Sequence, residues 1–364
     1  MGTFNLGTLS GLETNSFTSS DSLTESDPTD VFRFSLNGTK DIGIALTNIS
    51  AGDDADLRIF RDSNLNGIFD SPDQEIASSL NFNNSDEIIN LADQGSGLYF
   101  AEVERFDPGS FGDVSYNLSL SATVNLGTLT NTPVTRNNFS VSADDPQDVF
   151  EFRLNQTSNI NIAVTDITAG DDADLTLFRD SNFNGVFDSA DQEIASSFRG
   201  GNNDDSINLA DQVTGLYFAQ VERFAPDSSG SVSYDIALST SDPSNILHTE
   251  EDFGNLSADR SRSGFVGNTD TTDTYEFSIG LFEGVDISLT GLSSDADLRV
   301  IQDSNNNGLV DSTDEVIGTS TRGGSLSESI SDIDLSGDYF VQVYQFSGDT
   351  SYTLNLDYFT TPFA

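Results

Sequence analysis

The residues most able to do chemistry in this chain are oxygen donors at alternating spacing. The segment DSNLNGIFDSPD, from Asp62 to Asp73, places Asp62, Asn64, Asn66, Asp70 and Asp73 at positions 1, 3, 5, 9 and 12 of a twelve-residue bend. That is the spacing of an EF-hand calcium loop, with Asp in place of the final Glu, Gly67 at the sharp turn of position 6 and the backbone carbonyl of Ile68 at position 7. Alternate side chains converge on one point while a glycine with positive φ turns the chain around the ion, and hard carboxylate and carbonyl oxygens suit a hard cation. The same pattern returns as Asp180, Asn182, Asn184, Val186, Asp188 and Asp191, and again as Asp303, Asn305, Asn307, Leu309, Asp311 and Asp314. One such bend could be an ordinary Asn-Gly turn. Three bends with the later acids in register favour Ca2+.

The last ligand is less determined than the first. Asp at position 12 is shorter than a bidentate Glu, so Glu75, Glu193 or Glu315 just downstream could share the work. Upstream of each bend lies a second acidic run, GDDADL, GDDADL and SDADL, from which Asp56, Asp174 or Asp297 could complete the shell. An acidic turn before a strand is the equally ordinary alternative. Apolar residues at position 8 (Phe69, Phe187, Val310) are expected to anchor each bend to a core.

These bends sit in a chain that repeats itself. DVFRFSLN from Asp30 returns as DVFEFRLN from Asp148 and DTYEFSIG from Asp273, and GLYFAEVERF from Gly97 returns as GLYFAQVERF from Gly215 and GDYFVQVYQF from Gly337. VSYNLSLS, VSYDIALS and TSYTLNLD close the three copies. The period is about 120 residues, too long for a solenoid and suited to whole sandwich domains. Three units are expected, 1–122, 123–242 and 243–364, with short linkers and the lead-in NLGTL at Asn5 repeated at Asn125. Within unit one, Phe32, Phe34 and Leu36 alternate with polar neighbours, as do Ile42, Ile44 and Leu46, then Leu57 and Ile59, Tyr99, Ala101 and Val103, and Tyr116, Leu118 and Leu120. Period two with one apolar face means half-buried strands, so the fold class is all-β: three tandem antiparallel sandwiches of jelly-roll or immunoglobulin-like type. The loops therefore interrupt β-hairpins, which points to a structural calcium role and not to a helical sensor.

Charge narrows the partners. With 60 acidic against 14 basic residues the net charge is −46, which repels nucleic acid and anionic lipid surfaces and is relieved by divalent cations. No cysteine is present for disulfides or thiolate metal sites, and no stretch approaches the about 20 apolar residues of a membrane span. The opening MGTFNLGTLSGLE lacks the basic and apolar regions of an export leader, so a removed leader, a longer parent chain or another export signal is expected.

The ordered set DVFRF, DADLRIF, the Asn/Gly/Asp bend, GLYFAEV and VSYNLSL resembles the bacterial pre-peptidase C-terminal (PPC) domain, in particular its cyanobacterial form with a calcium-type loop. The resemblance runs through all three units. It implies a jelly-roll module found beside secreted peptidases, acting in targeting, secretion or polymer and protein binding, outside the cell or at its surface. Clostridial collagen-binding domains are similar calcium-binding folds, which makes a matrix or polymer target conceivable. The chain itself holds no peptidase domain, so protease activity is not carried over.

A catalytic reading finds little support. The single histidine, His248, lies in an apparent linker, and no DTG pair, HExxH or phosphate-cradling glycine loop occurs. Paired acids of glycosidase type remain conceivable, although the chain has no tryptophan for sugar stacking. The expectation is a monomeric, non-catalytic calcium-binding module. The alternatives are a calcium-stiffened spacer or adhesin-like array and, behind it, a hydrolase. Phe106, Phe224 and Phe346 read first as strand-end core residues and second as exposed contacts.

Overall fold

The computed structural model describes residues 2–9, 12–17, 22–106, 112–143, 145–224, 230–246, 249–304 and 314–361. Unit one runs through β1 (Gly2–Thr8), β2 (Leu12–Phe17), β3 (Thr29–Leu36), β4 (Lys40–Thr47), β5 (Ala55–Arg61), β6 (Gln74–Ser79), β7 (Glu87–Gln94), β8 (Gly97–Arg105) and into β9 (Tyr116–Thr128). Unit two continues with β10 (Val134–Val141), β11 (Gln147–Leu154), β12 (Ser158–Thr165), β13 (Ala173–Arg179), β14 (Gln192–Ser197), β15 (Asp205–Gln212), β16 (Gly215–Arg223) and β17 (Val232–Ser239). Unit three holds β18 (Glu251–Asn255), β19 (Arg260–Val266), β20 (Thr272–Ile279), β21 (Glu283–Thr290), β22 (Asp295–Gln302), β23 (Glu315–Ser320), β24 (Glu328–Ile333), β25 (Gly337–Ser347) and β26 (Thr350–Thr360). Among the described residues there is no helix.

Each unit is two sheets face to face. Unit one pairs β1-β3-β8-β5-β6 in one sheet and β2-β9-β4-β7 in the other, and unit three repeats this as β18-β20-β25-β22-β23 and β19-β26-β21-β24. Leaving aside the first strand, these are the interleaved four-strand orders of a jelly roll. The alternating residues singled out above all face inward: Phe32, Ile44, Leu57, Tyr99 and Leu118 belong to one buried cluster, and units two and three each have a cluster of their own.

The sheets are not purely antiparallel as expected. The first strand of each unit joins the edge in parallel, β1 on β3, the end of β9 on β11, and β18 on β20. A bulge lets this edge strand follow the curve of the sheet. In each case an Asx side chain accepts from the glycine amide two residues on: Asn5 from Gly7 at 3.3 Å, Asn125 from Gly127 at 2.7 Å and Asp252 from Gly254 at 2.6 Å. Unit three thus has the same lead-in strand, which the altered spelling DFGNL conceals.

A second shared device pins the two sheets together. The Asp that opens the DVF or DTY strand accepts a hydrogen bond from the tyrosine of the closing strand, Tyr116 to Asp30 at 2.7 Å, Tyr234 to Asp148 at 2.8 Å and Tyr352 to Asp273. Both partners are buried in each unit, so the bond acts in a low-dielectric interior where its loss is costly.

Units one and two share a strand. Residues from Tyr116 to Thr123 of β9 pair with β2 and β4, whereas Val124, Asn125 and Thr128 pair with β11, so one sheet runs β14-β13-β16-β11-β9-β4-β7 across both units. At this seam the Lys40 ammonium of unit one meets the Asp148 carboxylate of unit two at 3.2 Å, with both side chains buried. Units two and three meet otherwise: Ser244 of the connecting segment is held through its carbonyl by Arg299 at 3.2 Å and Gln342 at 3.0 Å, and Ala210 donates to Asn268 at 2.9 Å.

Candidate metal centres

The first two twelve-residue bends join the last two strands of the larger sheet, β5 to β6 and β13 to β14, and fold over that sheet's outer face. Phe69 at position 8 packs against Phe60 and Phe100 with ring centroids at 4.9 and 5.4 Å, and Phe187 against Phe178 and Phe218 at 5.1 and 5.2 Å. The anchor is therefore a small outer cluster and not the sandwich core. Backbone bonds close the bend: Asp62 donates to the Leu98 carbonyl at 3.0 Å and Asp180 to Leu216 at 3.1 Å.

Inside the bend the oxygens turn inward. Asp62 accepts the amides of Asn66 at 3.2 Å and Gly67 at 2.8 Å, and Asp73 accepts those of Ser63 at 3.2 Å and Asp70 at 3.0 Å. Asp180 accepts Gly185 at 3.0 Å, and Asp191 accepts Ser181 at 3.3 Å and Asp188 at 3.0 Å. Gly67 and Gly185 hold φ of 73° and 74° at position 6, where a side chain would be strained. Leu65 and Phe183 at position 4 hold φ of 59° and 60° without being glycine, a strain of about 1 to 2 kcal/mol that the surrounding bend enforces.

The side-chain donors of each bend are carboxylate and amide oxygens, the types that a hard cation takes. Asn64 and Asn66 turn their Nδ2 amides to Asp70 at 3.1 and 2.8 Å, and Asn182 and Asn184 reach Asp188 at 3.2 and 2.8 Å. The Oδ1 atoms of these amides accept backbone amides, Asn64 from Asn66 at 3.0 Å, Asn66 from Ile68 at 2.7 Å, Asn182 from Asn184 at 3.2 Å and Asn184 from Val186 at 2.8 Å, so turning Oδ1 to an ion would exchange those bonds and the Nδ2 contacts for coordination. Among the described residues no group of three or more His, Cys, Asp or Glu side chains stands in metal-holding geometry. The acids bear their crowding visibly: Asp180 Oδ1 is buried without a hydrogen-bond partner. Burial first, then the neighbouring Asp188 and Asp180 charges, against backbone bonds that oppose them, push Asp191 up to about 7.

Bend three is described only at its ends. Asp303 is buried and the Ser304 amide donates to Asp314 at 3.1 Å, the closure seen in the other two units. Asn305, Asn307, Leu309 and Asp311 lie outside the described residues, as does His248.

The upstream acids do not belong to these bends. Asp56 stands near the start of β5 and Asp62 follows its end, about 20 Å away at the rise of a strand, and Asp174 and Asp297 are placed likewise. The expectation that they complete the loop's shell is corrected on this ground. They group instead with an acid the sequence reading missed, at the start of the neighbouring strand: Glu87, Asp205 and Glu328 are fully buried. Each accepts a serine hydroxyl and a backbone amide, Ser79 at 2.5 Å and Asn81 at 2.8 Å for Glu87, Ser197 at 2.5 Å and Arg199 at 2.9 Å for Asp205, Ser320 and Arg322 for Glu328. Desolvation leads the causes that raise Glu87 to about 7 and Asp205, Asp174 and Asp297 to about 6. A lone acid at a strand start carries no motif, and only spatial neighbours reveal it.

Nor does Glu75 face its bend. It sits opposite Phe60 on β6 and pairs with Arg58 at 3.4 Å on the open surface, Glu193 occupies the matching exposed position opposite Phe178, and Glu315, one residue earlier in its strand, is exposed opposite Gln302. Position 12 is filled by the aspartate. Phe106, Phe224 and Phe346 are 39 %, 43 % and 71 % exposed, so the exposed alternative for them replaces the core reading.

Residues 28–105 and 146–223 match the family model of the bacterial pre-peptidase C-terminal domain. No curated protein matches the chain. Among solved structures, the pre-peptidase C-terminal domain of a Bacillus anthracis collagenase is 21 % identical, covers 33 % of this chain and 94 % of its own, and has a TM-score of 0.23. PliG of Aeromonas hydrophila, a periplasmic inhibitor of g-type lysozyme, is 18 % identical over 30 % of this chain and 98 % of its own, with a TM-score of 0.21. A triple jelly-roll protein of an archaeal virus turret is 13 % identical over 96 % of this chain and 89 % of its own, with a TM-score of 0.19. The jelly-roll assignment rests on the strand orders above.

Proposed function

We propose that the chain is a non-catalytic, calcium-binding accessory array that works outside the cell, of the kind found beside secreted peptidases. The observation that carries this reading is the bend itself: twelve residues of one pattern close in the same way in units one and two, with the position-1 acid buried and accepting the position-6 glycine amide, and in unit two Asp180 Oδ1 is buried with no protein partner, an oxygen that a cation would satisfy. Bound calcium would supply the positive charge that the crowded acids lack. Asp62, Asn64, Asn66, Asp70, Asp73 and the Ile68 carbonyl would hold it in unit one, with Asp180, Asn182, Asn184, Asp188, Asp191 and Val186 in unit two. Asp303, Asn305, Asn307, Asp311, Asp314 and Leu309 are the corresponding set in unit three. The matched family and the net charge of −46 support a setting rich in divalent cations.

At the weak affinities of extracellular modules, about 10⁻⁴ to 10⁻³ M, a tenfold excess of calcium stabilises a unit by about 1.4 kcal/mol. Calorimetric titration of chelator-stripped protein is expected to give three ions per chain, with one lost in each of Asp62→Ala, Asp180→Ala and Asp303→Ala. Absence of binding heat up to about 10 mM calcium overturns the reading. The continuous β9 strand favours a second, narrower reading, a stiff spacer with no target of its own. A pull-down against collagen, peptidoglycan, polysaccharides and secreted peptidases separates the two, since a spacer retains none of them.

A further inference from the structure

We infer that unit one is part of the cation site of unit two, so that the second bend binds its ion more tightly than the first and the bound ion in turn locks the two units together. The inference rests on the calcium reading above and goes beyond it. The two bends are nearly the same in sequence and internal bonding, yet different groups cover their position-6 glycines. Over Gly67 lies the Arg33 guanidinium, 3.8 Å from where a Cβ would sit. Over Gly185 lies the Asn90 amide of unit one, at 3.1 Å from the equivalent point, and it donates to the Asn184 carbonyl at 3.0 Å.

Two physical consequences follow. Arg33 brings a positive charge to the first bend, and its counterpart on β11 is Glu151, a carboxylate within electrostatic reach of Asp180. Glu151 is fixed by the Thr123 hydroxyl at 3.1 Å and lines, with Arg153, Asp41 and Gly185, a groove of about 160 Å³ between the units. Exchanging a cation for an anion beside a divalent ion favours binding, even with Arg153 in the same groove. The second consequence is preorganisation. Val186 is buried in a notch where Gly43 has no side chain, since a Cβ there would lie 3.1 Å from Val186 Cγ1. A bend already held by a neighbouring unit loses less freedom when the ion arrives. Reciprocity then requires the ion to tighten the junction by the same factor.

The test is a calcium titration of the full chain, followed by NMR at the Gly67 and Gly185 amides, in the wild type, Asn90→Ala and Arg33→Glu. Gly185 should respond at about tenfold lower free calcium than Gly67. Asn90→Ala should raise the Gly185 midpoint about fivefold and leave Gly67 in place, while Arg33→Glu should lower the Gly67 midpoint. Hydrogen exchange at Val186 and Gly43 should slow on adding calcium to the wild type. Equal wild-type midpoints, or variants that move neither glycine, overturn the inference and leave the calcium reading standing. A wild type in which neither glycine responds overturns both.

Discussion

Ile68 and Val186 occupy position 7 of two nearly identical bends, yet Ile68 is 63 % exposed and Val186 is fully buried. The bend's own residues set its shape, since the acids at positions 1 and 12 accept the amides of positions 6, 2 and 9 in both units. Its surroundings are set by the strand it happens to meet. The first bend faces solvent and Arg33, whereas the second is roofed by β4 and β7 of the preceding unit. Duplication copied a loop, and the shared β9 strand turned one of the copies into a joint.

The harshest way to break this comparison is to remove Lys40. Lys40→Ala leaves Asp148 buried beside the hydroxyl of Tyr234 without its ammonium, at an expected cost of about 3 to 5 kcal/mol in urea unfolding. Ser158→Ala, at the matching start of β12, should stay within about 0.5 kcal/mol. Burial already raises Asp148 despite the lysine, so in Lys40→Ala the carboxyl takes up a proton more readily and the deficit should narrow as the pH falls.

Next in size is a pair of substitutions at position 7. Val186→Asp puts a charge into the junction and should lower stability by about 3 kcal/mol, whereas Ile68→Asp should change it by less than about 0.5 kcal/mol. Similar melting shifts for the two would show that the bends share one environment.

The strand-start acids allow a comparison by pH. Glu87, raised to about 7, binds more protons folded than unfolded between its ordinary value of 4.5 and 7, and Asp205 does so up to about 6. Stability in the absence of calcium is therefore highest at the lower end of this window and falls as the pH rises through it. Melting curves from pH 4.5 to 7.5 check the sign, and Glu87→Gln should flatten the part of the slope between 6 and 7. The smallest effect concerns the left-handed residues at position 4: Leu65→Gly and Phe183→Gly should each stabilise by about 0.5 kcal/mol, and equally, because both hold the same φ.

Most of the architecture was legible from the sequence. Alternation marked the inward residues of unit one, from Phe32 to Leu120, because period two with one apolar face leaves a strand a single way to lie. The parallel edge strand was not legible, since strand pairing depends on residues distant in sequence. Nor was the third lead-in, where Asp252 replaces asparagine but makes the same bond to a glycine amide. At the candidate sites the spacing located the bends correctly on hairpins, and it misplaced Asp56, Asp174 and Asp297 because nearness in sequence along a strand is distance in space. Lys40, Asn90 and Gly43 carry no motif, and their roles come only from the unit that packs against them.

A high-resolution crystal structure grown in abundant calcium tests the central claim most directly. The account predicts an ion at the centre of each bend, with the Asn64, Asn66, Asn182 and Asn184 amides turned so that Oδ1 faces it and Asp70 and Asp188 released from the Nδ2 contacts they now accept. Water at those centres, with the amides still donating to Asp70 and Asp188, would contradict it.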